Sequence, residues 1–344
     1  MKQQKIKKKT NFFKKIFIKI SRNFGYELID QGNFYLSTQN KNLNENLNIQ
    51  GSKSIALPLG EIKITRPVKA LTVIFRSCTN VNMLTQNKKR LFSKEKSEYT
   101  FRSLNSIVTS LNKAKLLFPN ISFNFIITDF NSNKNDINQM NKQLSKLNIP
   151  NSIISIQISE FIDRIKKTNE KNEKVTKNQI SNMTNIYKSL ELAKKNSNDL
   201  IYFVEDDYIH KNNTIQEMIL TYERISSQLN KELILCPADY PYLYSNINST
   251  NVFLGSSSHW REVDQTLCTF LTSHKIIEKH WNRLISMCEF EHYPFEKPLH
   301  EIYKTEICLS PIPSLAIHLT NINSIFGLSP NLDWEKIWKE NENY

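Results

Sequence analysis

Between residues 70 and 207 the apolar positions alternate between short continuous runs and stripes at helical spacing. Residues 70–75 are mostly apolar over strand length and predict a strand. Phe101, Leu104, Ile107, Val108 and Leu111 then recur on one helical face. A second strand is predicted over 122–128, closed by Asp129, and a second helix from Ile137, Met140, Leu144 and Leu147. A strand over 153–158, a lysine-rich polar stretch and a helix over 179–194 lead to the apolar run Leu200-Ile201-Tyr202-Phe203-Val204. Strands and helices in this order predict an α/β fold with a mostly parallel central sheet flanked by helices. Beyond Asp207 the pattern loosens. It predicts a helix over 214–225, a strand over 233–236, short strands near 252–254 and 267–272, a helix over 275–287 and a final apolar stretch over 307–319.

The ends read differently. Across residues 6–24, Phe12, Phe13, Ile16, Phe17, Ile20 and Phe24 recur at helical spacing with Lys and Arg between them, the pattern of a basic amphipathic helix. Such a segment suits docking on an anionic membrane surface through residues 1–24; a basic tail with a helix packed on the body is the plainer alternative. The expected organisation is a basic segment at 1–34, a polar linker at 35–67, a globular domain at 68–330 and a tail at 331–344. Within the domain the halves divide at 207.

Composition adds exclusions. The net charge of +13 suggests nucleic acid, but nine of the basic residues precede the first acid, Glu27. The remaining 37 basic and 33 acidic residues nearly balance, so the body offers no general polyanion surface and no nucleic-acid partner is expected. Five widely spaced cysteines without a Cys-x-x-Cys fit reduced thiols better than a disulfide framework or zinc site. No apolar run approaches bilayer-spanning length, and lysines interrupt the N-terminal apolar positions, so neither a membrane span nor a signal peptide is read. The expectation is a cytoplasmic protein peripheral to the inner membrane face. The six glycines include no adjacent pair, which leaves no Walker loop or dinucleotide fingerprint. Any phosphate binding must use metal and side chains. There is also no His-Glu-x-x-His and no Gly-x-Ser-x-Gly.

The strongest chemical signal is the apolar run that stops at Glu205-Asp206-Asp207. The carboxyl end of a buried strand is where open α/β sheets place ligands. Three carboxylates there repel one another and lose solvation unless a cation neutralises them. Oxygen ligands of this type suit Mg²⁺ or Mn²⁺, commonly shared with substrate phosphates. A solvated acidic turn after a core strand is the competing reading.

An α/β half, a helix near 183–194 and an apolar strand ending in Glu-Asp-Asp resemble the GT-A glycosyltransferases, bacterial and family-2-like, over roughly residues 68–325. Asp239-Tyr240-Pro241, His259-Trp260-Arg261 and Thr266-Leu267-Cys268-Thr269-Phe270 look similar to a bacterial branch of them. The resemblance implies a GT-A-like nucleotide-diphospho-sugar transferase fold, with a donor-binding half to 207 and an acceptor half after it. It further implies a nucleotide-sugar donor, a glycan or lipid-linked acceptor in surface polysaccharide synthesis, and Mn²⁺ or Mg²⁺ held by the outer acids Glu205 and Asp207. Glu205 departs from the family's Asp in the first position. Asp206 then faces the sugar or ribose, and Asp129 the base or ribose unless it is a turn residue. A late histidine, here His318, completes the metal shell, although a lone His in an apolar run is more often core. Arg76 and Arg261 are candidates for the donor diphosphate, against a structural ion pair and a solvated loop charge. Asp239, Glu262 and Asp264 are candidates for the base that deprotonates an acceptor hydroxyl. A nucleotidyltransferase of related fold, a metal-dependent phosphodiesterase and a non-catalytic membrane-associated binding module are the rivals.

Overall fold

The structure, a computed structural model, describes residues 12–26, 28, 62–80, 90–245 and 247–344. The chain forms two compact units, 1–63 and 64–344. The basic residues at 1–11 and the linker positions 35–61 lie outside the described residues. In the first unit the amphipathic pattern forms helix α1 (Phe12–Asn23), in which no residue is buried.

The second unit alternates as the sequence predicts. Strand β1 (Ala70–Ser77) leads to helix α2 (Lys96–Leu117), β2 (Ser122–Asp129), α3 (Lys134–Leu144), β3 (Asn151–Ser155), α4 (Lys177–Asn196) and β4 (Leu200–Glu205). There follow β5 (Tyr208–His210), α5 (Thr214–Leu229), β6 (Leu233–Leu235), β7 (Val252–Leu254), β8 (His259–Glu262), β9 (Phe270–Ser273), α6 (His274–Lys279), α7 (Trp281–Glu289), α8 (Lys297–Tyr303), β10 (Ile307–Ile312), β11 (Ala316–His318) and α9 (Trp334–Glu340). Among the described residues nine strands make one sheet in the order β3-β2-β1-β4-β9-β6-β10-β8-β7, and β5 pairs with β11 separately. The first four strands are parallel; β9 then runs antiparallel to β4 and β6, and β10 is parallel to β6. The outer pairs β10–β8 and β8–β7 are antiparallel.

Strands β1 and β4 are largely apolar because both faces are covered. Leu71, Val73 and Phe75 of β1, with Leu200, Tyr202 and Val204 of β4, pack with α2 and α5. Ile74, Ile201 and Phe203 point the other way, into a second core with Met183 and Ile186 of α4 and residues of α7 and α8.

Three departures from the sequence reading have local causes. The helix expected over 275–287 is two helices that meet at His280. The apolar stretch 307–319 is two strands interrupted at Pro313, which has no N–H to give a ladder. The expected tail at 331–344 carries α9, whose Trp338 is buried, stacked on Phe92 and under the Arg102 guanidinium. With Tyr99 as a second aromatic neighbour at 5.2 Å, these contacts hold a segment too short and polar to announce itself in sequence.

Candidate functional site

Register builds the site. Parallel pairing sets Ser77 opposite Asp129 and Arg76 opposite Glu205, so the ends of β2, β1 and β4 form one row at the carboxyl edge of the sheet. From Glu205 the chain turns through Asp206 and Asp207 into β5. The antiparallel partner β11 then places His318 opposite Tyr208, and Leu319 N donates to Asp207 O at 2.8 Å. His318 Nε2 thereby stands 3.6 Å from Asp207 Oδ2. A residue more than a hundred positions downstream reaches the acidic turn through one pair of three-residue strands.

These groups line a cleft of about 780 Å³. One wall holds Arg76, Lys96, Glu205, Asp206, Asp207 and His318. The opening turns of α4 contribute Gln179, Ser181, Asn182 and Asn185 to it. Tyr293, Phe295 and Glu296 line it from the segment before α8, and Phe326 from the C-terminal loops.

The acids differ in what they touch. Glu205 Oε1 lies 3.0 Å from Arg76 Nη2, and its Oε2 accepts from Thr269 Oγ1 at 3.2 Å. Arg76 is buried, and this Nη2 has no aligned hydrogen-bond acceptor. Asp206 is ion-paired to Lys96 and accepts from Thr100 Oγ1 at 2.9 Å and Cys78 N at 3.2 Å. Asp207 faces His318. Burial pushes its carboxyl up, but His318 and Lys96 outweigh that and hold it well below the carboxylate range. Burial lowers His318, while the Asp207 charge raises it further and wins. His318 Nδ1 donates to Phe326 O at 2.6 Å, which leaves Nε2 as the atom turned toward Asp207. Its ring stacks on Tyr208, 4.7 Å between centroids.

Glu296 is the exception. Half-buried at the entry to α8, it makes no ion pair among the described residues. Burial, then the Glu205 charge, push its carboxyl up to about 7. The sequence reading missed it, and it missed Lys96 and the polar face of α4. Lys96 is one of 46 basic residues and the α4 face one of many Asn-rich patches, so neither carried a distinguishing signal.

The other candidates do not line the cleft. Asp129 accepts from Ser77 Oγ at 2.7 Å, from Ser132 Oγ at 2.6 Å and from Ser132 N at 3.1 Å, so it braces the β1–β2 ends behind the lining residue Ser77. Asp239, fully buried, is ion-paired to Arg261, whose guanidinium also lies over Tyr244 at 4.8 Å. Those two candidates are brought together, but with each other. Glu262 accepts from Asn251 Nδ2 at 2.7 Å in the β7–β8 region, and Asp264 is exposed past the end of β8. Trp260 is core, its Nε1 3.4 Å from Glu217 Oε1.

Among the described residues no group of three or more His, Cys, Asp or Glu side chains is closed into a metal cage. Asp207 and His318 nevertheless present one carboxylate oxygen and one imidazole nitrogen toward each other inside the cleft, and His318 has its other nitrogen anchored on a carbonyl. A carboxylate oxygen and an anchored imidazole nitrogen are two donors of the types that divalent ions take, short of a full set among the described residues. Glu205 would join it only by leaving Arg76.

No family model matches the chain, and no curated protein matches it. Solved structures overlap it loosely. TarS of S. aureus matches at 11% identity and a TM-score of 0.32, covering 61% of this chain and 29% of that one. The galactosyltransferase LgtC with donor and acceptor sugar analogues matches at 9% identity and 0.36, covering 79% and 95%. A UDP-glucose pyrophosphorylase complexed with UDP-glucose matches at 8% identity and 0.38, covering 80% and 97%. The chain thus spans less than a third of the TarS structure. Overlap this loose assigns neither a family nor an activity.

Proposed function

We propose that this chain is a GT-A-like glycosyltransferase that moves a sugar from a nucleotide-sugar donor to a hydroxyl acceptor. The observation that carries the reading is the row of strand ends. It sets Arg76, Glu205, Asp206 and Asp207 on one wall of an open cleft, with His318 folded back onto Asp207. A diphosphate fits this wall because Arg76 Nη2 is buried without an aligned acceptor, and Lys96 adds a second cation.

Asp207 and His318, with Glu205 beside them, would hold Mn²⁺ or Mg²⁺. The ion would supply charge neutralisation for the departing diphosphate. The protein's own groups do the rest. Arg76 and Lys96 orient the donor phosphates, Asp206 meets the sugar or ribose, and Tyr293, Phe295 and Phe326 offer rings for a sugar face. The bond from the anomeric carbon to the diphosphate oxygen breaks as an acceptor oxygen bonds that carbon. Glu296 takes the acceptor proton, being a cleft carboxylate without an ion pair and poised near neutrality. It assumes the base role expected of Asp239, Glu262 or Asp264. The acceptor we infer is a glycan or lipid-linked sugar, as in surface polysaccharide synthesis at the inner face of a membrane. A nucleotidyltransferase is disfavoured by Arg76–Asn80, which leaves β1 without a glycine to bring backbone against a triphosphate.

The test is thermal stabilisation by nucleoside diphosphates and sugar nucleotides, with and without Mn²⁺, followed by release of nucleoside diphosphate in the presence of glycan acceptors. A ligand at 100 times its dissociation constant adds about 2.7 kcal/mol. Metal-dependent stabilisation by one nucleotide family, lost in Asp207→Asn, supports the reading. Indifference to the whole panel returns the acidic wall to a structural role and favours a binding module.

A further inference from the structure

Helix α1 is an element that the cleft chemistry does not use. Wound at 3.6 residues per turn, its sequence places Phe12, Phe13, Ile16, Phe17 and Ile20, with Phe24 just beyond, in one arc of about 140°, and Lys14, Lys15, Lys19 and Arg22 in an opposite arc of similar width that also holds Ile18. The apolar arc is exposed: Phe12 is 70% exposed, Phe17 63%, Ile20 48% and Phe24 76%. Tyr26 and Leu28 continue the exposed apolar surface. An arc of this kind in a globular protein is ordinarily buried.

We infer that α1 docks on an anionic lipid bilayer, its apolar arc entering the boundary between headgroups and acyl chains and its basic arc held against the headgroups. Charge selects this occupant. No acid occurs before Glu27, and five lysines precede the helix, so the segment is cationic throughout. A second copy of α1 could cover the apolar arc, but it would leave the basic arc on the far side of each helix without a counter-charge. A bilayer surface offers apolar depth and uniform negative charge at once. Twelve residues at 1.5 Å each reach about 18 Å, too short to cross, so the helix lies in the plane of the interface. No described helix is long and apolar enough to span a membrane. The inference stands on α1 alone, and the outcome of the donor-binding test does not bear on it.

The experiment is co-sedimentation of the full chain with vesicles of phosphatidylcholine alone and with vesicles in which roughly 30% of it is replaced by anionic phosphatidylglycerol. Wild type is expected to pellet with the anionic vesicles at least tenfold more than with neutral ones. The expectation extends to Ile16→Glu/Phe17→Glu and Lys15→Glu/Lys19→Glu, each losing that binding with an unchanged Tm. Neither pair touches a core, because α1 buries no residue. Variants that pellet like wild type, equal pelleting on neutral vesicles, or no pelleting would each overturn the inference. So would a concentration-dependent dimer in sedimentation velocity that Ile16→Glu/Phe17→Glu abolishes, since the arc would then be a self-contact.

Discussion

The two ends of β4 carry similar charges and put them to opposite uses. At the amino end, Asp199 accepts from Arg66 Nη2 at 2.5 Å, from Lys69 N at 2.6 Å and from Ala70 N at 3.3 Å. The same Arg66 grips Glu232, which also accepts from Tyr222 OH at 2.6 Å and Lys275 Nζ at 3.0 Å. Burial pushes Glu232 up, but these donors outweigh it and hold the carboxyl at about 2. At the carboxyl end, Glu296 has burial and a neighbouring carboxylate but no cation of its own, and stands at about 7. One glutamate is closed into a network, the other is left open to a cleft. A satisfied network holds the sheet together; an unsatisfied one gives up stability for chemistry.

Mutations sort the two ends. The largest effect is expected from Asp207→Asn, which should reduce sugar transfer by about 10³-fold in a nucleoside-diphosphate release assay, the scale of a lost charge at a transferring group, and should also lower Tm, because the amide gives up the pairing with His318 that holds this carboxyl down. At the other end, Asp199→Ala should cost stability while sparing turnover. It strips Arg66 and two backbone amides of a buried partner and is expected to cost about 3 kcal/mol by urea denaturation, with turnover per folded molecule preserved. If Asp199→Ala abolished turnover while remaining folded, the division between the ends would be wrong.

Glu296→Gln sharpens the comparison, because it should lose activity and gain stability together. A loss of about 10²-fold in rate is expected from removing a general base. The sign of the stability change follows from linkage. The folded carboxyl titrates near 7, above an ordinary glutamate, so the native state binds the extra proton and stability falls as pH rises from about 4.5 through 7. Above that range the charged form is penalised by on the order of 3 kcal/mol, which the glutamine removes. Melting curves at pH 5 and pH 8 should therefore coincide at the lower pH and separate in favour of the variant at the higher. Smallest is His318→Ala, expected to weaken Mn²⁺-dependent donor binding by about tenfold, since one of several ligands is removed. Unchanged Mn²⁺ dependence in a titration would exclude it as a ligand.

The alternation of runs and stripes was sufficient to read β1 to β4 and the helices between them, most clearly at β1 and β4, whose burial on both faces leaves few polar positions to blur the run. The acidic turn was legible for the same reason, as three carboxylates against the most apolar run in the chain. His318 was reachable only through a resemblance. Elements beyond β4 were read less well. The strands β6 and β7 were expected at 233–236 and 252–254, but β5 and β11, with three residues each, are too short for a period to show and depend on each other across more than a hundred residues.

Composition and periodicity by themselves determined the α/β class, the location of the acidic strand end and the cationic amphipathic character of α1, all of which depend on neighbours in sequence. The tertiary structure decided which acids share a cleft. It closed Asp239 onto Arg261 and Asp129 onto serines, brought His318 to Asp207 through the β5–β11 pair, and left Glu296 without an ion pair among the described residues. The reason is range. Side-chain pattern is set by local geometry, whereas whether a carboxylate is neutralised depends on what the fold carries to within a few ångströms of it.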